Sequence, residues 1–283
     1  MREIVLSHFQ IALVLQAKRS GKTNVELSPD LGISVTRAEL APDFLYFPDY
    51  PQIRLSWAHA EKIARDENAC FVLNAEGIHK IKTFSELTHR AYSLYPTRSA
   101  PTMLVAGFPM HRIKDSDPLR DTLAKVKTLA PLTGIVLDTA TGLGYTAIEL
   151  SKTAPRVITI ELDPAAQEIC RANPWSRALF DNPKIERRIG DSFEIVQTFD
   201  AMTFDAVLHD PPTMSLAGDL YSLEFYRELF RVLRRGGKLF HYIGDPQSKF
   251  GANITRGVTQ RLKDAGFQRL KPAPQAFGVV AWK

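Results

Sequence analysis

Four acidic residues stand at or just after the ends of short apolar runs, at Asp138, Glu161, Asp191 and Asp210. The last belongs to the segment His209-Asp210-Pro211-Pro212-Thr213, in which two residues of fixed φ follow the acid. A carboxylate held in this way can accept N–H groups from a nucleophile and aim its lone pair. Taken singly, each acid is explained equally well as a helix cap or a turn residue. Their occurrence in order, after successive apolar runs, favours a shared site.

The first of these acids lies in the stretch Ile135 to Tyr145, which reads I-V-L-D-T-A-T-G-L-G-Y. A strand, a glycine-rich turn and a helix from Thr146 let a backbone approach a nucleotide-like ligand closely. Such a glycine pattern is weak evidence alone and becomes informative with the acids downstream of it. Glu161 is placed to accept hydrogen bonds from both hydroxyls of a ribose, and Asp191 to reach an adenine amino group.

Strands and helices alternate from Ile135 onward, and they must position these acids. We predict strands at 135–137, 157–160, 185–189, 204–208, 238–243 and 278–282. We predict helices at 145–152, 164–172, 193–199, 222–233 and 255–265, with Gly236, Gly237 and Gly266 where helices stop. This alternation indicates an open, mostly parallel sheet with helices on both faces. Ligands of such sheets bind outside the carboxyl ends of the strands, which is where the acids fall.

Residues 1–98 predict a small α+β domain, and residues 99–283 a second domain. Short alternating strands, a helix opened by Ser56 and a second helix over 86–94 capped by Ser85 make up the first domain. The linker is predicted at 95–101. A further helix, begun by Ser116-Asp117-Pro118, leads into the glycine-rich turn.

The composition is that of an ordinary globular protein, with 283 residues, 45% apolar and 24% charged. No apolar run reaches membrane-spanning length, and no secretion signal is evident, so we expect a cytoplasmic protein. The two cysteines, Cys70 and Cys170, lack metal-ligand spacing, and no metal is predicted. The net charge of +5 permits nucleic-acid binding without requiring it, and no feature indicates an oligomeric state.

With these motifs in place, residues 134–283 resemble the class I S-adenosylmethionine-dependent methyltransferases. The resemblance implies a Rossmann-like sheet of seven strands and S-adenosyl-L-methionine as the cofactor. One departure is Ala140, where the family pattern D-x-G-x-G-x-G has its first glycine. The implied cofactor-binding residues are Asp138, Thr139, Ala140, Thr141, Gly142, Gly144, Tyr145, Glu161, Leu162, Gly190, Asp191 and Ser192.

The whole chain resembles a family of predicted, mostly archaeal methyltransferases with unassigned substrate. The shared segments are 26–32, 110–114 with 117–118, 173–177, 209–212, 215–218 and 239–245. The segment 204–244 is also similar to the spermidine synthases and to the domain that methylates an aminomethyl group on a tRNA wobble uridine. Both act on amines, so the resemblance implies an amine acceptor on a small molecule or on RNA. The first domain is expected to select it.

Spermidine synthases carry an aspartate in a turn of the form G-G-G-D-G-G, which disfavours the carboxylate of intact S-adenosylmethionine. Aligned on the turn, that aspartate falls at Gly142 here. The missing like charge removes a reason to exclude the carboxylate and favours methyl transfer over aminopropyl transfer. A third hypothesis, a non-catalytic nucleotide- or RNA-binding protein, is weakened by the joint presence of Glu161, Asp191 and Asp210.

The expected catalytic residues are Asp210, Pro211 and Pro212. In related methyltransferases an aromatic residue follows the two prolines and stacks on planar targets, and Thr213 in its place favours a non-planar amine. The candidate substrate-binding residues are His111, Arg112, Thr213, Tyr221, His241 and Tyr242. Alternation along a strand does not decide which of His241 and Tyr242 faces the ligand, and it directs His209 away from Asp210.

Overall fold

The computed structural model describes residues 3–214, 216–245 and 249–283, with no side-chain description for 249–253. The described residues form eighteen strands and nine α-helices. They divide into two compact units. The first comprises Met1–Leu119 with Ala165–Arg177, and the second comprises Arg120–Pro164 with Ala178–Lys283.

Three small antiparallel sheets make up most of the first unit. Its strands are β1 Ile4–Leu6, β2 Asn24–Leu27, β3 Thr36–Leu40, β4 Phe44–Tyr46, β5 Arg54–Ser56, β6 Phe71–Asn74, β7 Gly77–Lys80, β8 Lys82–Ser85, β9 Arg90–Tyr95, β10 Thr102–Val105 and β11 Phe108–Pro109. Its helices are α1 His8–Arg19, α2 Trp57–Arg65, the start of α3 Pro118–Lys127 and nearly all of the later helix Pro164–Ala172. The sheets have the orders β1-β6-β7, β2-β3-β4-β5 and β11-β10-β9-β8. The unit is therefore α+β, as the sequence predicts.

The helix predicted over 86–94 is wrong, because this segment contains the turn after β8 and most of β9, and these two strands pair antiparallel. Tyr92 and Leu94 are buried on alternate positions of β9, which is the strand period. Ser85 does accept a backbone N–H, from Thr88, but it does so in the turn between the strands and not at a helix cap. The predicted linker connects two strands of this sheet, β9 and β10, since Tyr95 pairs with Thr102. The predicted boundary at residue 98 thus lies between two paired strands.

The second unit is built on one sheet of seven strands. These are β12 Ile135–Asp138, β13 Arg156–Glu161, β14 Ile185–Ile189, β15 Phe204–His209, β16 Leu233–Tyr242, β17 Arg269–Ala273 and β18 Gly278–Trp282. The helices that follow α3 along the chain are α4 Tyr145–Ser151, α5 Pro164–Ala172, α6 Arg177–Asp181, α7 Ser192–Gln197, α8 Leu223–Val232 and α9 Lys249–Asp264. The sheet order is β14-β13-β12-β15-β16-β18-β17. The first five strands are parallel, and β18 is antiparallel to both of its neighbours.

Apolar runs explain the central strands. Val136, Leu137 and Val207 are completely buried, as expected for a sheet covered on both faces. The edge strand β17 was not predicted, because its sequence R-L-K-P-A is polar and contains a proline, which edge strands tolerate. Gly236 and Gly237 lie within β16 and not at a helix end, since α8 already ends at Val232.

Among the helices that the structure describes, none combines the length and apolar character needed to cross a membrane.

Candidate active site

The parallel strands of the second unit bring three acidic residues to one edge of the sheet. Strand β12 ends at Asp138 and β13 ends at Glu161, while Asp210 follows the last residue of β15. Asp138 is in register with Leu208 of β15, so the three strand ends are neighbours. The strand order changes direction between the neighbours β12 and β15, because the chain runs outward from β12 to β14 and then returns to β15 on the other side of β12. Open α/β sheets bind ligands at such a point.

The turn after β12 is shaped by two glycines with left-handed backbones, φ +53° at Gly142 and +76° at Gly144. A Cβ at Gly144 would lie 2.6 Å from Leu179, so this glycine permits close packing. A Cβ at Gly142 would meet no described atom within 4 Å, so that position borders open space. Glu161 Oε2 accepts the N–H of Gly142 at 2.9 Å and ties the turn to the end of β13.

Asp138 is completely buried, and its Oδ2 accepts the hydroxyls of Thr146 at 3.0 Å and Thr159 at 2.9 Å. Burial raises the pKa of Asp138 to about 7, against these hydrogen bonds. Its Oδ1 is buried and has no hydrogen-bond partner in the part of the chain that the structure describes. Such an acceptor has unused capacity for a donor from a ligand.

Glu161 is half-buried, and burial raises its pKa to about 7, opposed by the N–H groups of Asp163 and Gly142. Its Oε2 accepts the N–H of Gly142 and its Oε1 accepts the N–H of Asp163 at 3.1 Å, so a pair of ribose hydroxyls would compete with these two backbone donors. The open space at Gly142 and the buried acceptor at Asp138 fit a nucleoside cofactor at this edge of the sheet.

The segment after β14 also contacts the glycine-rich turn, through Ser192. Asp191 caps α7 by accepting the N–H of Phe193 at 2.7 Å, and its side chain is exposed. Ser192 donates to the carbonyl oxygen of Thr139 at 2.6 Å, which joins the start of α7 to the glycine-rich turn. Leu162, after β13, is 46% exposed and offers an apolar surface.

Asp210 forms an ion pair that the sequence does not predict. The Nζ of Lys125, in α3, lies 2.6 Å from Oδ2 of Asp210 and 2.8 Å from Oδ2 of Asp121. Lys125 is 1% exposed and Asp121 is completely buried. Burial alone would lower the pKa of Lys125, but the charges of Asp210 and Asp121 outweigh it and raise the pKa above its ordinary value. The signal in the sequence was an acid and a lysine four residues apart in a predicted helix, which usually indicates a solvated pair.

Tyr242 lies on the same side as this ion pair, with the Lys125 ammonium 4.4 Å from the centre of its ring. This position settles which of two adjacent residues in β16 faces the charged cluster. Its neighbour His241 is completely buried, and its Nε2 lies 2.8 Å from the hydroxyl of Tyr226. His241 therefore packs in the core of the sheet, and contact of its side chain with a substrate stays a prediction.

His209 faces the same core as His241, and the two rings are 4.4 Å apart. Its Nε2 lies 2.9 Å from the carbonyl oxygen of Leu220, and that contact assigns the ring proton to Nε2. The Thr139 hydroxyl, 2.6 Å from Nδ1, is then the donor to the ring. Burial lowers the pKa of His209 to about 3, so the ring is neutral at physiological pH.

A buried tyrosine anchors the segment after Asp210 to the core that contains His209 and His241. The hydroxyl of Tyr221 donates to the carbonyl oxygen of Pro212 at 3.0 Å, and Tyr221 is 4% exposed. Pro211 is buried, whereas Thr213 is exposed. Tyr221 thus supports the backbone that carries the two prolines, while Thr213 is accessible.

His111 and Arg112 belong to the first unit and are half-buried. The Nδ1 of His111 lies 2.9 Å from the hydroxyl of Thr102 in β10. Contact of His111 and Arg112 with a substrate stays a prediction.

The order of the strands and the glycine-rich turn after β12 define the class of fold. The structure is similar to a crystal structure of spermidine synthase in complex with the transition state analogue AdoDATO, with a TM-score of 0.60, 20% identity, and coverage of 72% of this chain and 74% of that one. The model of the spermine/spermidine synthase domain matches residues 135–273. The second unit therefore has the Rossmann-like fold of the class I methyltransferases.

Among curated proteins, the uncharacterized protein MJ1233 of Methanocaldococcus jannaschii is 42% identical over 236 residues, which is 83% of this chain and 80% of that protein. The chain belongs to the same family as MJ1233.

Two shorter matches are to enzymes. The polyamine aminopropyltransferase of Mycobacterium tuberculosis is 32% identical over 123 residues, 40% of this chain and 23% of that protein. Putrescine N-methyltransferase 4 of Nicotiana tabacum is 27% identical over 100 residues, 34% of this chain and 26% of that protein. The chain thus aligns with about a quarter of the length of each of these relatives.

Proposed function

We propose that the protein is a transferase that moves an alkyl group from an S-adenosyl sulfonium donor to the nitrogen of an amine. The observation that carries this proposal is the Asp210 carboxylate, ion-paired with the buried Lys125 at the strand edge that also holds the cofactor turn. The mycobacterial and tobacco relatives support it, since both are transferases whose names specify polyamines or putrescine.

The donor would be held by the turn at Gly142, by Asp138 and by Glu161, with Leu162, Gly190, Asp191 and Ser192 around the base. When bound, it supplies a carbon on sulfonium sulfur that the amine nitrogen attacks, and the carbon–sulfur bond breaks with its electron pair left on sulfur. The protein's contribution is mainly alignment, because the leaving group is already activated.

Asp210 has the central role in this alignment. Its carboxylate accepts an N–H of the amine, turns the nitrogen lone pair toward the donor carbon and takes the proton that the nitrogen loses. Pro211 and Pro212 fix the backbone that follows, and Tyr221 supports it through Pro212. Tyr242 and Thr213 would border the amine.

The comparisons favour aminopropyl transfer as the reaction. The family model that matches residues 135–273 is that of the spermine/spermidine synthase domain, and a polyamine aminopropyltransferase is among the relatives. In this reaction the donor is decarboxylated S-adenosylmethionine and the acceptor is a polyamine.

One observation favours methyl transfer as a second candidate. Aligned on the turn, the aspartate of G-G-G-D-G-G falls at Gly142 here, and the next position of the turn is Leu143, between the two glycines. Leu143 is apolar and buried. At either position the turn lacks the negative charge that would repel the carboxylate of intact S-adenosylmethionine.

Calorimetric titration with both donor forms tests the proposal. Binding of the decarboxylated form alone supports aminopropyl transfer, and binding of intact S-adenosylmethionine supports methyl transfer. The Glu161→Gln variant tests whether the donor binds at the predicted ribose position, and it should weaken the binding of both donor forms. If neither form binds, the proposed function fails.

The acceptor is identified by incubating the protein and its preferred donor with a panel of polyamines, and separately with RNA, and weighing the products. A polyamine product supports the proposal as stated, and a product in RNA alone replaces the small-molecule acceptor by an amine on RNA. Donor binding without any transfer would support the non-catalytic hypothesis.

A further inference from the structure

The Asp121, Lys125 and Asp210 side chains form a charged cluster whose middle member is almost inaccessible to solvent. We propose that Lys125 is a positioning residue, which holds the Asp210 carboxylate ionised and in a single orientation for the amine, while Asp121 anchors the lysine. This inference rests on the proposed function.

Geometry gives Lys125 contacts on several sides. Its ammonium lies 2.8 Å from Asp121, one turn earlier in α3, and 2.6 Å from Asp210 at the end of β15. The ring face of Tyr242, from β16, is the third contact at 4.4 Å. An ammonium has three donors and no acceptor, so two carboxylates and an aromatic face form a complete environment for it. A lysine held by two different elements has little freedom to leave Asp210.

The charges explain why such a lysine is useful. Asp210 has 18% of its side chain exposed, so burial tends to favour its neutral acid. A neutral acid cannot take a proton from the amine. A cation in contact with the carboxylate favours the ionised form, and two carboxylates with one ammonium leave a net charge of −1 that attracts a cationic polyamine whose reacting nitrogen is unprotonated.

The net negative charge of the cluster depends on the presence of both aspartates. Without Asp121, Lys125 and Asp210 would form a neutral pair with no net attraction for an ammonium ion. With Asp121 present, the lysine stays charged, and the cluster keeps one negative charge at the surface of the sheet edge. Asp121 is completely buried, so Asp210 is the carboxylate of the two that an amine can reach.

The other titratable groups facing this cluster limit how its ionisation can be measured. Tyr242 and Tyr221 border it, and the charge of Asp210 contributes to raising the pKa values of Tyr221 and Asp138. Since Asp138 has a pKa of about 7, a pH profile of turnover alone mixes its ionisation with that of Asp210. The ionisation of Asp210 must therefore be measured at its own carboxyl carbon and not through turnover.

The experiment is a ¹³C NMR titration of the Asp210 carboxyl carbon, assigned with Asp210→Asn, in the full-length protein and in Lys125→Gln and Lys125→Arg. Loss of the cation in Lys125→Gln should raise the midpoint of Asp210 by about one to three pH units. Arginine retains the charge, so Lys125→Arg should keep a midpoint close to that of the wild type. An unchanged midpoint in Lys125→Gln, or an equal rise in both variants, would overturn the inference.

Turnover provides the second readout. In Lys125→Gln, kcat should fall by about a hundredfold with the donor affinity unchanged, because the loss is in general-base alignment. Lys125→Arg should recover a large part of it. A loss of donor affinity with kcat preserved would contradict a positioning role.

The two proposals fail separately. If the wild-type protein transfers nothing to any amine, the proposed function is lost, but the NMR titration still reports whether Lys125 controls Asp210. If Lys125→Gln does not fold, Asp121→Asn/Lys125→Gln removes the second unpaired carboxylate and allows the same titration.

Discussion

Two neighbouring residues at the end of β15 face opposite sides of the sheet and have opposite chemistry. Asp210 lies in a cluster of charges with Lys125 and Asp121. His209 lies among neutral groups, hydrogen-bonded to Thr139 and Leu220 and packed against His241. The two environments are separated only by the thickness of one strand.

The difference shows how a buried polar side chain can be stabilised in two ways. On the charged side, opposite charges compensate the cost of burial, and the net charge that remains is available to a ligand. On the neutral side, both ring nitrogens of His209 are hydrogen-bonded and burial suppresses its ionisation, so the ring supports the segment after Asp210. The charged side is therefore suited to chemistry and the neutral side to support.

The largest expected effect is on turnover when the charged side loses its carboxylate. Asp210→Asn should lower kcat by about 10²–10⁴-fold, the range for loss of a general base, while donor binding measured by calorimetry changes little. Asp219→Asn, at an exposed position of the short 3₁₀-helix Gly218–Tyr221 before α8, is a matched control that should keep full turnover. Equal turnover in Asp210→Asn and the wild type would contradict the assignment of chemistry to the charged side of the strand.

Removal of the buried cation should have the next largest effect, on folding stability. Lys125→Met leaves the Asp121 and Asp210 carboxylates without a counter-charge and should lower the free energy of unfolding by about 3–5 kcal/mol. Urea titration measures it. Lys127→Met, at an exposed position of the same helix, is the control and should stay within about 0.5 kcal/mol. A small loss in Lys125→Met would mean that the cluster is not buried in solution.

On the neutral side, a substitution should affect stability far more than chemistry. His209→Leu removes the partners of the Leu220 carbonyl and the Thr139 hydroxyl, and each buried group left unsatisfied costs about 1–3 kcal/mol. Thermal or urea unfolding should show this loss, and kcat should fall much less than in Asp210→Asn. A collapse of kcat with unchanged stability would reverse the roles of the two sides.

The smallest effect is on the pH dependence of stability. The pKa of His209 is lowered to about 3 in the folded protein, below its ordinary value of 6.5. Its contribution is therefore complete above pH 6.5 and is lost as the pH falls toward 3, by at most about 1.4 kcal/mol per pH unit.

The raised pKa values of Asp138 and Glu161 act in the opposite direction, because their contribution is complete below their ordinary pKa values and is lost as the pH rises through about 7. The wild-type curve alone thus mixes both effects. The test compares urea midpoints of the wild type and His209→Leu between pH 7 and pH 4. The gap between them should narrow as the pH falls, and a constant gap would contradict a suppressed ionisation of His209.

The sequence predicted those parts of the fold that depend on local patterns. Apolar runs located the buried strands, and the alternation of strand and helix predicted the mostly parallel sheet. The prediction from sequence was wrong or incomplete where tertiary contacts decide the secondary structure of a segment. The segment 86–94 has a helix-like start at Ser85 but pairs as a strand, and β17 has the polar composition of an edge.

The acids at the strand ends could be predicted for the same reason, because each follows an apolar run. Lys125 and Asp121 could not, since a charged pair at helical spacing is normally exposed. Only the packing of α3 reveals that both are buried. Alternation also left His241 and Tyr242 equivalent until the contact of Tyr242 with Lys125 distinguished them.

The close packing of Gly144 on Leu179 has a consequence for how this family can vary over evolutionary time. A Cβ at position 144 would come within 2.6 Å of the Leu179 side chain, in a backbone conformation that already disfavours other residues. Homologues with alanine or serine at position 144 should therefore carry a smaller residue at position 179, so that the two positions change together. Position 142 has no such neighbour within 4 Å and should vary independently of the protein core.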